Sequence, residues 1–235
     1  MENHALIVAL DVPSSREAAE AVARIGDAVS FYKVGLELFL ADGPETLRLL
    51  RGEGKRVFLD LKLHDIPRTV ERAVGSCLRW GPDLLTVHAQ GSSAMVEAAA
   101  RAVREAGAAT RILAVTVLTS LDRSDLDLLG VARPVEEQVL ALGRLAVGAG
   151  AHGLVCSPRE AGALRKALGP DALLVTPGVR PAGGALGDQK RVATPADAIR
   201  AGATHLVVGR PVLGAPDPRA AALAIREEMA AAAGA

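Results

Sequence analysis

The chain has 235 residues, enough to bury one large core, and α/β barrels of this size form single domains. Half of the residues are hydrophobic, yet the apolar runs are short and broken by charge, so no stretch reads as a transmembrane helix. Lys and Arg balance Asp and Glu at 27 each, and the aromatic residues are only three Phe, one Trp and one Tyr; this argues against a nucleic-acid stripe, a membrane-surface patch or an open stacking platform, and for a small ligand in a pocket.

Met1-Glu2-Asn3-His4 enters an apolar segment with no basic region or cleavage site, so no signal peptide is read. Short aliphatic or β-branched runs then recur near 5–10, 30–34, 56–61, 84–88, 111–117, 153–156, 172–176 and 205–208, and these are the predicted strands. Between them, stretches rich in Ala, Leu, Glu and Arg show helical spacing at 15–25, 67–80, 92–106, 134–149, 158–168, 194–201 and 216–233, the last fraying through the Ala-rich tail. Ser14 or Ser15 ahead of Arg16-Glu17, and Thr194-Pro195 ahead of Ala196-Asp197, are helix start signals. Gly81-Pro82, Gly169-Pro170 and Pro177-Gly178 punctuate the junctions.

Eight strands alternating with helices imply parallel βαβ units covered on both faces. The predicted fold is therefore α/β, a single-domain TIM (β/α)8 barrel spanning 1–235. A doubly wound open sheet is the alternative, but no GxGxxG follows the first strand. Cys77 and Cys156 lack CxxC spacing and read as reduced core residues of a cytoplasmic protein.

Chemistry in such a barrel gathers at the C-terminal ends of the strands. There the sequence places Asp11, Lys33, Asp60 with Lys62, His88, Thr116 with Thr119 and Ser120, Ser157, Arg180, and Gly209-Arg210. The densest stretch is Asp60-Leu61-Lys62-Leu63-His64-Asp65-Ile66-Pro67-Arg68-Thr69, directly after Val57-Phe58-Leu59. Alternation puts Asp60 and Lys62 on one face of a buried strand, with Asp65 following. Buried charge is costly unless paired, so three charges here point to chemistry.

The last two units carry a second theme. Pro177-Gly178-Val179-Arg180 leads into Pro181-Ala182-Gly183-Gly184-Ala185-Leu186-Gly187-Asp188-Gln189-Lys190, and Val207-Val208-Gly209-Arg210-Pro211 closes strand eight. Glycine N–H groups approach an anion closely, and arginine offers a two-pronged grip. Loops after strands seven and eight are a common phosphate site in this fold, so a phosphorylated substrate is expected, with the Gly-rich loop as a lid.

These motifs together resemble the orotidine 5′-phosphate decarboxylase family, bacterial type. The resemblance rests on Asp60-x-Lys62-x-x-Asp65-Ile66-Pro67-x-Thr69, Val115-Thr116-Val117-Leu118-Thr119-Ser120, Pro177-Gly178-Val179-Arg180, Gly187-Asp188-Gln189 and Gly209-Arg210-Pro211, in family order over essentially the whole chain. It implies a cofactor- and metal-independent lyase converting orotidine 5′-phosphate to uridine 5′-phosphate in pyrimidine biosynthesis. It implies a charge network of Lys33, Asp60, Lys62 and Asp65, with Lys62 stabilising and protonating a carbanion-like intermediate. Asp11 and Lys33 would hold the ribose, while Arg180, Gln189, Gly209 and Arg210 would take the phosphate. Ile66 and Pro177 would complete the substrate site. The base contact falls to Thr119 or Ser120, with Thr119 favoured. The partner implied is a second copy of the chain, Asp65 and Thr69 reaching across a homodimer interface, with no nucleic acid and no membrane.

Other readings remain beside this one. Related metal-dependent hexulose-phosphate synthases and keto-gulonate-phosphate decarboxylases share Asp60-x-Lys62-x-x-Asp65 but carry an acidic metal ligand where Lys33 stands. A non-catalytic nucleotide-binding barrel is a further alternative. More blandly, Asp60 and Lys62 form a structural ion pair, Arg180 and Arg210 surface caps, and Cys156 core packing. His64 and His88 lack HxH or HExxH spacing and read as structural histidines.

Overall fold

A computed structural model describes residues 6–180 and 193–234. Eight parallel strands close into a barrel in chain order: β1 (Leu6–Ala9), β2 (Phe31–Gly35), β3 (Arg56–Leu63), β4 (Leu84–His88), β5 (Arg111–Val115), β6 (Gly153–Val155), β7 (Leu173–Thr176) and β8 (His205–Val208), which pairs back with β1. Each predicted strand is present, and the open-sheet alternative is excluded by this closure.

The outer layer comprises α1 (Ser15–Ile25), α2 (Leu36–Gly52), α3 (Pro67–Leu78), α4 (Ser92–Glu105), α5 (Arg123–Leu128), α6 (Val135–Gly148), α7 (Pro158–Leu168), α8 (Pro195–Arg200), α9 (Arg210–Leu213) and α10 (Pro218–Ala233). Ser14 caps α1 and Thr194 caps α8, each side chain accepting a backbone N–H from the first turn, as the start signals predict. Three helices go beyond the sequence expectation. In α2 the helix breaks at Asp42 (φ −143°) just before Pro44, and Asp42 Oδ2 accepts both the N–H and the hydroxyl of Ser15 at 3.0 Å. Helix α5 opens on reciprocal capping by Asp122 and Asp125. Residues expected only as a strand-end loop begin the four-residue α9.

Strand alternation sorts the core into two layers. Leu6, Val8, Tyr32, Val34, Val57, Leu59, Leu85 and Leu154 face outward onto the helices. Ile7, Ala9, Phe31, Phe58, Leu84, Leu113, Val175 and Val207 form a separate buried cluster inside the barrel. At the N-terminal foot, the Arg56 guanidinium lies 4.2 Å from the centre of the Phe31 ring and pairs with Asp83 at 3.1 Å. The interior is thus a packed apolar plug covered at its foot, and the polar site lies at the opposite end.

Candidate active site

Going two residues at a time along the inward face of each strand leads from the apolar plug to the C-terminal mouth. The positions reached are Asp11 beyond Ala9, Lys33 beyond Phe31, Asp60 beyond Phe58, Thr86 beyond Leu84, Pro177 beyond Val175 and Gly209 beyond Val207. All except Thr86 line a cavity of about 260 Å³. Thr86 is fully buried against Asp60. Val115, Val117 and Val155 complete an apolar wall, which the sequence-based candidates omit.

Asp11, Lys33, Asp60 and Lys62 form a row of alternating charge. Lys33 Nζ donates to Asp11 Oδ1 at 2.9 Å and lies 3.7 Å from Asp60 Oδ2, which receives Lys62 Nζ at 2.8 Å. The side chains of Lys33 and Asp60 are 12% and 11% exposed. Moving each such ion from water costs several kcal/mol, and two unit charges about 4 Å apart recover about 4 kcal/mol at an effective dielectric near 20. One pair alone therefore falls short of break-even, and alternation supplies each inner charge with two opposite neighbours.

The backbone departs from a regular strand here. Leu59 pairs with Leu85 and Leu63 with Val87, so four residues of β3 advance against two of β4. The resulting bulge leaves Lys62 at φ +51°, in the left-handed region. Lys62 N–H leaves the ladder and donates to Thr86 Oγ1 at 2.9 Å, while the Thr86 hydroxyl donates to Asp60 Oδ1 at 3.0 Å. Thr86 is absent from the sequence-based candidates, and its inward parity on β4 is the signal that identifies it.

The same cavity is lined by Arg180, Arg210, Gly209, Pro177 and Thr119. Arg180 Nε is buried with no hydrogen-bond partner among the described residues, which leaves it suited to an anion. Ser120 is exposed and does not line the cavity, so the structure brings Thr119 and not Ser120 to this site. Gln189 and the rest of the Gly187-Asp188-Gln189 motif lie outside the described residues.

Asp65 and Ile66 on the β3–α3 connection, and Thr69 in the first turn of α3, are exposed and do not line this chain's cavity. Asp65 Oδ1 accepts the Ile66 N–H at 2.7 Å, so the row within one chain ends at Lys62 without it. A smaller recess of about 110 Å³, lined by the same four charges with Gly35, Leu36 and Glu37, adjoins the main cavity.

Two strand-end polar residues turn away from the mouth, correcting the expectation that all of them face it. Thr116 falls at an outward position and its hydroxyl bonds the Val155 carbonyl at 3.2 Å. Ser157 is fully buried at the start of α7, its N–H donating to Glu160. His88 lies beyond Thr86 on the inward face, its ring centre 5.4 Å from that of His64. Burial, then the neighbouring His64 and Lys62, hold its pKa below the ordinary 6.5, so it is neutral near pH 7. Among the described residues no three His, Cys, Asp or Glu side chains are grouped to hold a metal. Cys77 and Cys156 are buried, and burial raises the Cys77 thiol to about 11.

Comparison with known proteins agrees with this arrangement. The chain is 58% identical over 220 residues to orotidine 5′-phosphate decarboxylase of Anaeromyxobacter sp. (strain K), covering 94% of this chain and 96% of that one. It is 53% identical over 230 residues to the protein of the same name from Moorella thermoacetica, covering 95% and 91%. The crystal structure of orotidine 5′-phosphate decarboxylase from Lactobacillus acidophilus superimposes with a TM-score of 0.86 at 38% identity, covering 96% and 99%. The profile of the orotidine 5′-phosphate decarboxylase / HUMPS family matches residues 4–225, and with strand-end charges, barrel and relatives in agreement, the chain belongs to that family.

Proposed function

We propose that this enzyme decarboxylates orotidine 5′-phosphate to uridine 5′-phosphate, using its own side chains without a metal or organic cofactor. The observation that carries this reading is the alternating Asp11–Lys33–Asp60–Lys62 row lining one cavity together with Arg180 and Arg210. Loss of carbon dioxide leaves an electron pair on a ring carbon with no adjacent electron sink. An ammonium already held by a carboxylate stabilises that pair and then supplies the proton. In this scheme the bond to the carboxylate carbon breaks, carbon dioxide departs, and the ring carbon takes a proton from Lys62 Nζ. Lys62 is re-protonated from solvent. Asp60 keeps the ammonium in place before reaction, so little reorganisation is left for the transition state.

The remaining roles follow position. Asp11 and Lys33 bind the ribose hydroxyls, Thr119 the base, and Arg180 and Arg210 the phosphate, together with Gly209 and Gln189. Binding energy at the phosphate end is then available at the distant reacting carbon. A second copy of the chain supplies Asp65, Ile66 and Thr69. Their exposure, the 67% exposed Ile66 side chain and the recess beside Lys33 and Lys62 support this shared site. The free, buried thiol of Cys77 fits a cytoplasmic setting. Against the metal-dependent reading, the position that needs an acidic ligand holds Lys33, whose ammonium sits between two carboxylates.

The test follows the absorbance of orotidine 5′-phosphate with purified protein in excess chelator. Wild type should turn over, and Lys62→Ala should lower kcat by about 10²–10⁴-fold. No turnover, or turnover only after magnesium is added, would overturn the proposal.

A further inference from the structure

We infer that Thr86 is a positioning residue for this reaction: one buried hydroxyl fixes both the Asp60 carboxylate and the Lys62 backbone, and through them the aim of the Lys62 ammonium. The inference rests on the proposed roles of Asp60 and Lys62.

The direction of each hydrogen bond is set by chemistry. A backbone N–H only donates and an ionised carboxylate only accepts, so the hydroxyl accepts from Lys62 N (2.9 Å) and donates to Asp60 Oδ1 (3.0 Å). With Oδ1 engaged, Oδ2 is the oxygen turned to Lys62 Nζ at 2.8 Å and Lys33 Nζ at 3.7 Å. Rotation of the carboxylate would break the Thr86 bond and misdirect both ammoniums together.

The same atom also deals with the bulge. Lys62 N–H has left the strand ladder at a left-handed backbone position, and a buried N–H without a partner is costly. The Thr86 hydroxyl takes the place of the missing carbonyl. Thr86 itself is well anchored, being β-branched, fully buried and in register with Leu113 on β5. Leu84, the preceding inward residue of β4, packs in the apolar plug, where a hydroxyl has no use. Thr86 stands at the one level of that strand where an apolar side chain would leave two polar partners unsatisfied.

The experiment compares wild type, Thr86→Val, which keeps the shape and loses the hydroxyl, and Thr86→Ser, which restores the hydroxyl. Kinetics per folded molecule are read with orotidine 5′-phosphate, and amide hydrogen exchange is read at Lys62. Thr86→Val should lose about 10–100-fold in kcat, with KM moving by much less, because the phosphate contacts and the Asp11 contact to the ribose are untouched. Thr86→Ser should stay within about threefold of wild type in kcat. Exchange protection of Lys62 N–H should fall in Thr86→Val and persist in Thr86→Ser, with Leu59 unchanged.

Near-wild-type kcat in Thr86→Val, or equal losses in both variants, would overturn the inference. A purely structural role would lower the folded fraction and leave kcat per folded molecule unmoved, which also overturns it. If Thr86→Val gives no cooperative melt, Thr86→Ser decides: retained kcat supports the inference, and a tenfold loss or more refutes it. If wild type turns over no orotidine 5′-phosphate, the functional proposal fails, while the exchange measurement still tests the hydroxyl's hold on Lys62. Unchanged protection in Thr86→Val would then refute it.

Discussion

Holding Lys62 at φ +51° crowds its Cβ against the backbone at a cost of about 1–2 kcal/mol that glycine escapes. On the proposed mechanism the residue is kept for its ammonium and not for its fit to the chain. Alanine at this position keeps the strain while losing the ammonium, whereas glycine loses both. Lys62→Gly should therefore be about 1 kcal/mol more stable than Lys62→Ala in urea unfolding, the reverse of the usual order in a strand. Equal or inverted stabilities would mean that the backbone relaxes once the side chain is removed. The spacing of Asp60 and Lys62 correctly places both charges together, but it implies a regular strand. Leu61 and Leu63 flank Lys62 with no Gly or Asn to announce a left-handed turn, so the bulge is invisible in sequence.

Elements were legible in proportion to the clarity of their punctuation. Residues Leu36–Gly52 are not among the expected helices, and Asp42-Gly43-Pro44 interrupts their helical pattern; packing carries α2 through the break and Asp42 anchors it to Ser15. Helices α5 and α9 have six and four residues, too few for a periodic apolar face to emerge. The strands were clear because eight short apolar runs recur between helices. Among them β6 is constrained by close approach, since a Cβ on Gly153 would lie 2.1 Å from the Leu173 carbonyl oxygen. Gly153→Ala should push β6 from β7 and cost about 1–3 kcal/mol in urea unfolding. An unchanged midpoint would show that the two strands part freely.

At the scale of the whole molecule, closure of the barrel brings residues from strands far apart in sequence to one mouth. That convergence was readable once eight units were counted, because the fold fixes which strand ends meet. The proposed second copy of the chain is a different matter, since Asp65 makes no contact with its own chain's charge row that would show where it belongs. Mixing Lys62→Ala and Asp65→Ala proteins tests the shared site. Each heterodimer would hold one site with both residues intact, so about a quarter of wild-type sites should return after full exchange. No recovery despite proven exchange would assign Asp65 to its own chain. The row of Asp11, Lys33, Asp60 and Lys62 also has a consequence for how an anion arrives. Two negative and two positive charges alternate and cancel, so their combined field dies away within a few ångströms and gives no guidance to a diffusing ligand. On the proposed assignment, long-range attraction falls instead to Arg180 and Arg210, whose charge dissolved salt can screen. Capture and chemistry would then be electrically separate: salt would weaken the first, while the second would sit among four charges of one chain that sum to zero.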